Sequence, residues 1–238
     1  MTGQLREAYR RWAGRSPLWT PLHLHHRALD AFVKERAPRV IDQAGAAAVR
    51  VLDVGCGDLP YKRFFDDPRV AAYDGADIAG AQSQAMLEID PATQAISAET
   101  ASYDVVVSFQ VLEHSSHRLA LLRECRRVLR PNGVLMLTLP FVFEYHAVPG
   151  DFRRWTTEGI TEDLQDCGYA DVVAEPIETD LHSLLVVNEL FVSRHLGYVA
   201  TKPLFLALNL AALAAAKLKA PTHRILPLTL GVVARRPA

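Results

Sequence analysis

The sequence has only three cysteines, Cys56, Cys125 and Cys167. They are too few and too scattered for a disulfide framework or a paired-thiol metal site, and their scarcity fits a reducing cytoplasm. No charge of one sign dominates. The 26 basic and 27 acidic residues leave a formal net charge of -1, so nothing draws the chain generally to nucleic-acid phosphates, and nucleic acid is not an expected partner. The longest apolar run, Pro203 to Ala216, falls short of the ~20 residues needed to cross a bilayer, which excludes a transmembrane span on length. The opening residues Met1 to Glu7 lack the apolar core of a signal peptide. What is present is globular: half the residues are hydrophobic and 22% are charged, and 238 residues suit one α/β domain with an addition.

Apolar residues at Leu22, Leu29, Phe32 and Val33 recur near helical spacing, and Pro38 follows as a stop, so residues 1–48 are read as N-terminal covering helices. His23, His25 and His26 lie there without an acidic or cysteine partner at ligand spacing, and no metal site is expected. From Val49 onward, short β-branched runs at Val49–Val54, Val70–Ile78 and Tyr103–Phe109 alternate with helical patterns. Such alternation belongs to a parallel sheet wound with helices. Ser115 or Ser116 is placed to cap the helix that carries Leu121, Leu122, Cys125, Val128 and Leu129. Its arginines, Arg118 to Arg130, are read as a solvated helix face. Asn132-Gly133 turns the chain into a buried strand, Val134–Leu139. Thr156 caps a further helix with Gly168 just past its end, and the last strand falls within Leu226–Ala234.

The first strand runs through Asp53-Val54 into Gly55-Cys56-Gly57. A turn poor in side chains at a strand's carboxyl end is where wound sheets bind ligands, and its glycines let backbone approach the ligand closely. The dinucleotide fingerprint fails, because Pro60 stands where its third glycine belongs. What remains is Asp77, 20 residues after Gly57, a separation at which a carboxylate accepts hydrogen bonds from ribose hydroxyls. The pair points to a nucleoside-containing cofactor without a pyrophosphate.

These residues resemble the class I S-adenosylmethionine-dependent methyltransferases, particularly the bacterial small-molecule group called type 11, over roughly residues 49 to 175. Val51-Leu52-Asp53-Val54-Gly55-Cys56-Gly57 looks like that family's first motif, and Gly75-Ala76-Asp77-Ile78 looks like its ribose-binding second. The stretch from Tyr103 to His114 resembles its fourth-strand motif, and Glu124 to Gly133 its helix and turn before the fifth strand. The resemblance implies a Rossmann-like, doubly wound, mostly parallel sheet with an antiparallel last strand. It also implies S-adenosylmethionine as cofactor, held by Asp53, Gly55, Cys56, Gly57, Asp77, Ile78, Asp90 and Gln110. Asp90 is placed beside the adenine by position alone, and a turn or cap role for it stays open. The family's first motif usually ends in a third glycine, whereas this chain has Leu59 followed by Pro60-Tyr61, so the loop is expected to be remodelled.

Two segments offer groups for a reaction at an acceptor hydroxyl. Glu113-His114 follows the fourth strand, and His114 is a candidate base or a loop-fixing residue. The segment from His146 to Thr156 follows the fifth strand and resembles a loop of members linked to sugar, polysaccharide or lipid modification. There His146 is the first candidate base. Asp151, Arg154 and Trp155 are candidate substrate contacts, with mutual bracing of Asp151 and Arg154 as the alternative.

The methyltransferase domain is assigned to 49–238, with 182–224 as an apolar helical insertion or lid. Four readings of the insertion stay open: a buried helix, a greasy acceptor pocket, a subunit interface in a homodimer, or peripheral contact with a membrane. The functional expectation is methyl transfer to a small-molecule hydroxyl in the cytoplasm. A non-catalytic scaffold that binds the same cofactor is the alternative.

Overall fold

The computed structural model describes residues 16–78, 81, 83–147, 150–216 and 224–238. The residues expected to lack a signal peptide, much of the segment read as covering helices, and Val148, Pro149, Lys217 and Lys219 lie outside them. Among the described residues the element order is α1 (His23–Ala44), β1 (Val49–Val54), β2 (Val70–Ile78), β3 (Leu87–Ile89), β4 (Tyr103–Phe109), α2 (Arg118–Val128), β5 (Leu129–Pro140), α3 (Thr157–Asp166), β6 (Ala170–Pro176), α4 (Asp180–Leu196), α5 (Tyr198–Ala215) and β7 (Thr229–Arg235). Short 3-10 turns lie at Lys62–Phe65 and Leu112–His114.

The strands form one sheet in the order β3-β2-β1-β4-β5-β7-β6. Pairing is parallel from β3 through β5. The last strand runs antiparallel, as expected: Arg236, just past its end, bonds to Asn132 and Gly133 near the start of β5, while Thr229 at its start accepts from Ile177 just past β6. The order reverses between β1 and β4, whose carboxyl ends therefore flank the crevice that such sheets offer to ligands. The continuous apolar runs expected of a doubly covered parallel sheet are there: Val51, Leu52, Val54, Val105, Val106 and Val107 are all fully buried.

By its internal contacts the chain divides into two compact units. One contains the sheet, with the described residues of 32–141, 145–175 and 230–238. Its core joins Leu52, Val106, Leu122, Leu135, Leu137, Ile160 and Leu164. The other gathers the described residues of 1–31, 142–144 and 176–229, around a smaller core of Leu22, Leu24, Val186, Leu190, Ala212 and Leu228.

Several local expectations are corrected. Pro38 does not stop α1, which continues to Ala44. A proline removes one helical bond and crowds the preceding turn, but burial of Ala37, Val40 and Ile41 on both sides of it favours continuing the helix. Neither Ser115 nor Ser116 is the N-cap of α2. His117 holds that position without a side-chain bond, and the Ser115 hydroxyl instead accepts from the His117 N–H and donates to Gln94. The strand after α2 starts at Leu129, with Asn132 in the left-handed region at φ 64°. The turn is thus an irregularity within β5. Thr156 does cap α3, accepting from the Gly159 N–H at 3.1 Å.

The arginines of α2 and its flank are more than a solvated face. Arg118 forks onto Asp163, Arg127 onto Glu124, and Arg130 onto Asp104. From the far end of the chain, Arg236 donates to the carbonyls of Arg126, Arg127 and Leu129, closing the last turn of α2 where helical carbonyls lack partners.

In the helical unit, α5 has 18 residues, longer than the apolar run suggested. By length and composition it is the one described helix that could cross a membrane, so the exclusion on length is withdrawn. Thr201, Phe205, Asn209 and Ala212 make one buried stripe along it, and Asn209 donates to the carbonyls of Leu18 and Thr20. His25, expected to lack an acidic partner, meets the buried Glu178 at 2.8 Å, 153 residues away. Burial and its histidine neighbours push the His26 imidazole down to about 3.

Candidate active site

The turn after β1 is set by three backbone bonds. The Gly55 and Cys56 N–H groups both donate to the Ala76 carbonyl, and the Gly57 N–H donates to Asp77 Oδ2 at 3.1 Å. Gly55 has φ +73°, and a Cβ there would stand 2.5 Å from Val111, so the turn lies directly against the segment after β4. Gly57, at φ +48°, faces open space. Leu59 takes a left-handed φ of 55°. The backbone conformation that usually calls for glycine is therefore reached by leucine, at a cost of roughly 1–2 kcal/mol, and its N–H closes a turn onto Cys56.

Asp53 and Cys56 face inward. Asp53 accepts from the Tyr73 hydroxyl at 2.8 Å. The Cys56 sulfur packs against Gly75, where a Cβ would come within 2.6 Å of it. Asp77 lies at the end of β2 with its second oxygen accepting from the Ile78 N–H, and Ile78 is partly exposed beside it. Gln110 sits in the left-handed region just past β4. Asp90 caps its own turn, accepting from the Ala92 and Thr93 N–H groups, and these bonds hold its carboxyl below the usual range.

Burial raises the Asp53 carboxyl to about 7, against the pull of the Tyr73 hydroxyl and with help from the charge of Asp77. Its folded-state value therefore stands above the unfolded one, so the folded state holds the extra proton and its stability falls as pH rises from about 4 to about 7. We expect Asp53→Asn to flatten that fall. Urea midpoints of both proteins at pH 5 and pH 8 measure it, and an equal drop in the two would mean that Asp53 titrates normally.

Beyond β4 and β5 the chain brings together residues far apart in sequence. Glu113 is fully buried with neither carboxylate oxygen hydrogen-bonded, and burial raises its carboxyl to about 8. Its Oε1 lies 3.9 Å from His114 Nε2. His114 Nδ1 bonds to the Gly150 carbonyl, and burial lowers its imidazole below the ordinary value. The His146 ring stands edge-on to His114 with 5.0 Å between centroids, and its Nδ1 is 3.5 Å from Asp151 Oδ2. One ligand atom from each of Glu113, His114 and His146 lies within 4.8 Å of the others. The sequence reading expected no metal site and did not join these residues, because the segments that carry them are separated by the whole of α2 and β5.

Asp151 and Arg154 form a forked pair, and Asp151 also accepts from the His146 N–H, which holds its carboxyl at about 2. This is the bracing alternative. Trp155, expected at the substrate, is buried in the core with its indole N–H donated to Asp163, and so serves packing.

Residues 21–169 match the family model of a methyltransferase domain. The chain belongs to this family. For such a domain the resemblance implied S-adenosylmethionine as cofactor. The chain is 38% identical over 78 residues to a probable S-adenosylmethionine-dependent methyltransferase of Mycobacterium tuberculosis, covering 30% of this chain and 28% of that one. It is 29% identical over 144 residues to a ubiquinone biosynthesis O-methyltransferase of Caulobacter vibrioides, covering 50% and 54%. The chain thus spans about half or less of the length of these relatives. Among solved structures it resembles the 4+2 cyclase SpnF, with a TM-score of 0.56, 20% identity, and 86% and 81% of the two chains covered, a likeness of fold.

The residues present suit the cofactor. An open, glycine-lined turn ends β1, and an aspartate at the end of β2 is tied to that turn by the Gly57 N–H.

Proposed function

We propose that the protein transfers a methyl group from S-adenosylmethionine to a hydroxyl of a small molecule, a sugar, glycolipid or related metabolite. The observation that supports this most is the contact of Gly55 with Val111, two residues before Glu113. It sets the cofactor turn beside the polar cluster of Glu113, His114 and His146. When bound, S-adenosylmethionine supplies a methyl group on a sulfonium. Gly55, Gly57 and Asp77 hold it, with Asp53 and Cys56 buttressing the turn from within and Gln110 and Ile78 at its borders.

The chain's remaining task is to orient the acceptor and manage its proton, since an alcohol must lose its proton during or after attack. His146 is the group that receives or orients that hydroxyl, steadied by Asp151, which Arg154 in turn fixes. The helical unit by itself exposes apolar side chains on α4 and α5, among them Leu184, Phe191, Val199 and Leu210, which suits a protein that acts on amphiphilic molecules.

We expect His146→Ala to lower turnover by about 100-fold or more, the usual scale of a lost proton-transfer group, and to leave cofactor affinity nearly unchanged. Labelled methyl incorporation into metabolite and lipid extracts finds the acceptor, and calorimetry reads the affinity in the same folded variant. Normal turnover removes His146 from the reaction. Equal loss of turnover and affinity would make it a loop brace, and no incorporation into any extract by the native protein would favour a scaffold.

A further inference from the structure

His114 carries more information than its position. A carbonyl oxygen can only accept, so the bond from Nδ1 to Gly150 fixes the proton on Nδ1. That leaves a lone pair on Nε2, with Glu113 Oε1 3.9 Å away, too far for a hydrogen bond. Beside that nitrogen both Glu113 oxygens are buried without a hydrogen-bond partner. A buried carboxylate without a partner is costly. His146 completes the group, with the Asp151 carboxylate behind its Nδ1.

We propose that Glu113, His114 and His146 hold a divalent cation of the zinc class, which binds the acceptor hydroxyl at its open position. Two imidazoles and one carboxylate are a set that zinc accepts, and three protein ligands leave a coordination site for a small molecule. Zinc–ligand distances of about 2.0–2.2 Å place neighbouring ligand atoms some 3–3.5 Å apart, so the observed spread of up to 4.8 Å closes with modest side-chain rotation. The outer contacts are those that orient ligating histidines: a backbone carbonyl behind His114 and a carboxylate behind His146. Asp151 is itself neutralised by Arg154, so the guanidinium serves the outer contact. The site rests on the methyl-transfer reading only for its use. There the cation would lower the pKa of the bound hydroxyl, whose proton would leave to water, and of the two roles given to His146 above it would keep the second, orienting the hydroxyl as a ligand of the cation.

The test uses the full chain stripped with a chelator, titrated with zinc chloride by calorimetry and with cobalt(II) by visible absorption. One equivalent should bind, with ligand-field bands in the cobalt form. Glu113→Gln and His146→Ala should each weaken binding by about 100-fold or more, and Asp151→Asn by roughly 10–100-fold. Circular dichroism checks folding, and His146, being partly exposed, provides the variant expected to fold if the buried Glu113→Gln does not. No saturable binding, or binding unchanged in folded His146→Ala, overturns the site. Full methyl transfer by the stripped protein overturns the cation's part in the chemistry while sparing the proposed function. One bound equivalent in a protein that methylates no hydroxyl keeps the site and sinks that function instead.

Discussion

Gly55→Val should abolish measurable cofactor binding, with a loss of at least about 100-fold in affinity, or roughly 3 kcal/mol. Two independent effects act at this position. The native φ of +73° lies in a region that β-branched residues avoid most strongly. A Cβ would also stand 2.5 and 2.6 Å from the two methyl carbons of Val111, so the turn and the segment after β4 must separate. Gly57→Ala supplies the contrast. Its φ of +48° brings a backbone cost, yet among the described residues, its chain neighbours aside, no atom lies within 4 Å of the new Cβ. A clash within the protein is thus limited to the first of the two glycines. Any loss of affinity in Gly57→Ala beyond its loss of stability must then come from contact with the ligand. Calorimetry with S-adenosylhomocysteine on folded variants measures both, and native affinity in Gly55→Val would mean that the ligand binds elsewhere.

Asp77→Ala should weaken binding by about 100-fold, because it removes a charged acceptor, and bonds to charged groups contribute roughly 1.5–3 kcal/mol each. Part of this effect is internal, since Asp77 Oδ2 also anchors the Gly57 N–H. A cofactor analogue lacking a ribose hydroxyl separates the two contributions. If Asp77 holds the ribose, the analogue binds the native protein more weakly than the parent compound but binds the alanine variant about equally, as a coupled pair requires. An unchanged affinity in folded Asp77→Ala would move the ribose away from β2.

The parts of the fold that the sequence displayed are those written locally. The apolar runs at Val49–Val54 and Tyr103–Phe109, the glycine turn, the Thr156 cap and Gly168 each state their structure within a few residues. Pro38 misled because the burial of Val40 and Ile41, a tertiary effect, overrode a local stop signal. The third glycine was missing from the motif, yet Leu59 kept a glycine-like backbone, which residue identity alone could not reveal. At the site, Trp155 was read as a candidate substrate contact in a polar loop, and its bond to Asp163 forms only once α3 is in place. The cluster of Glu113, His114 and His146 needed the sheet to exist, because β4 and β5 must lie side by side before the segments after them can meet. The acid missed beside His25 has the same cause over a longer span. Glu113 itself carried a signal: an acid between an apolar strand end and a histidine invites the question of what neutralises it.

The closure of α2 by Arg236 also has a consequence for the order of events as the chain is made. The arginine that fills the open carbonyls of Arg126 and Arg127 lies 110 and 109 residues farther along. At synthesis rates of roughly 5–20 residues per second, it leaves the ribosome some 5–20 s after the helix it completes. During that interval β1 to β5 can pair, but the junction between α2 and β5 lacks its final fastener, and the outer edge of β5 waits for β7. The cofactor-binding half is therefore not a finished module to which later residues are merely appended. Its last seam is sewn by an arginine made 110 residues after the helix that it closes.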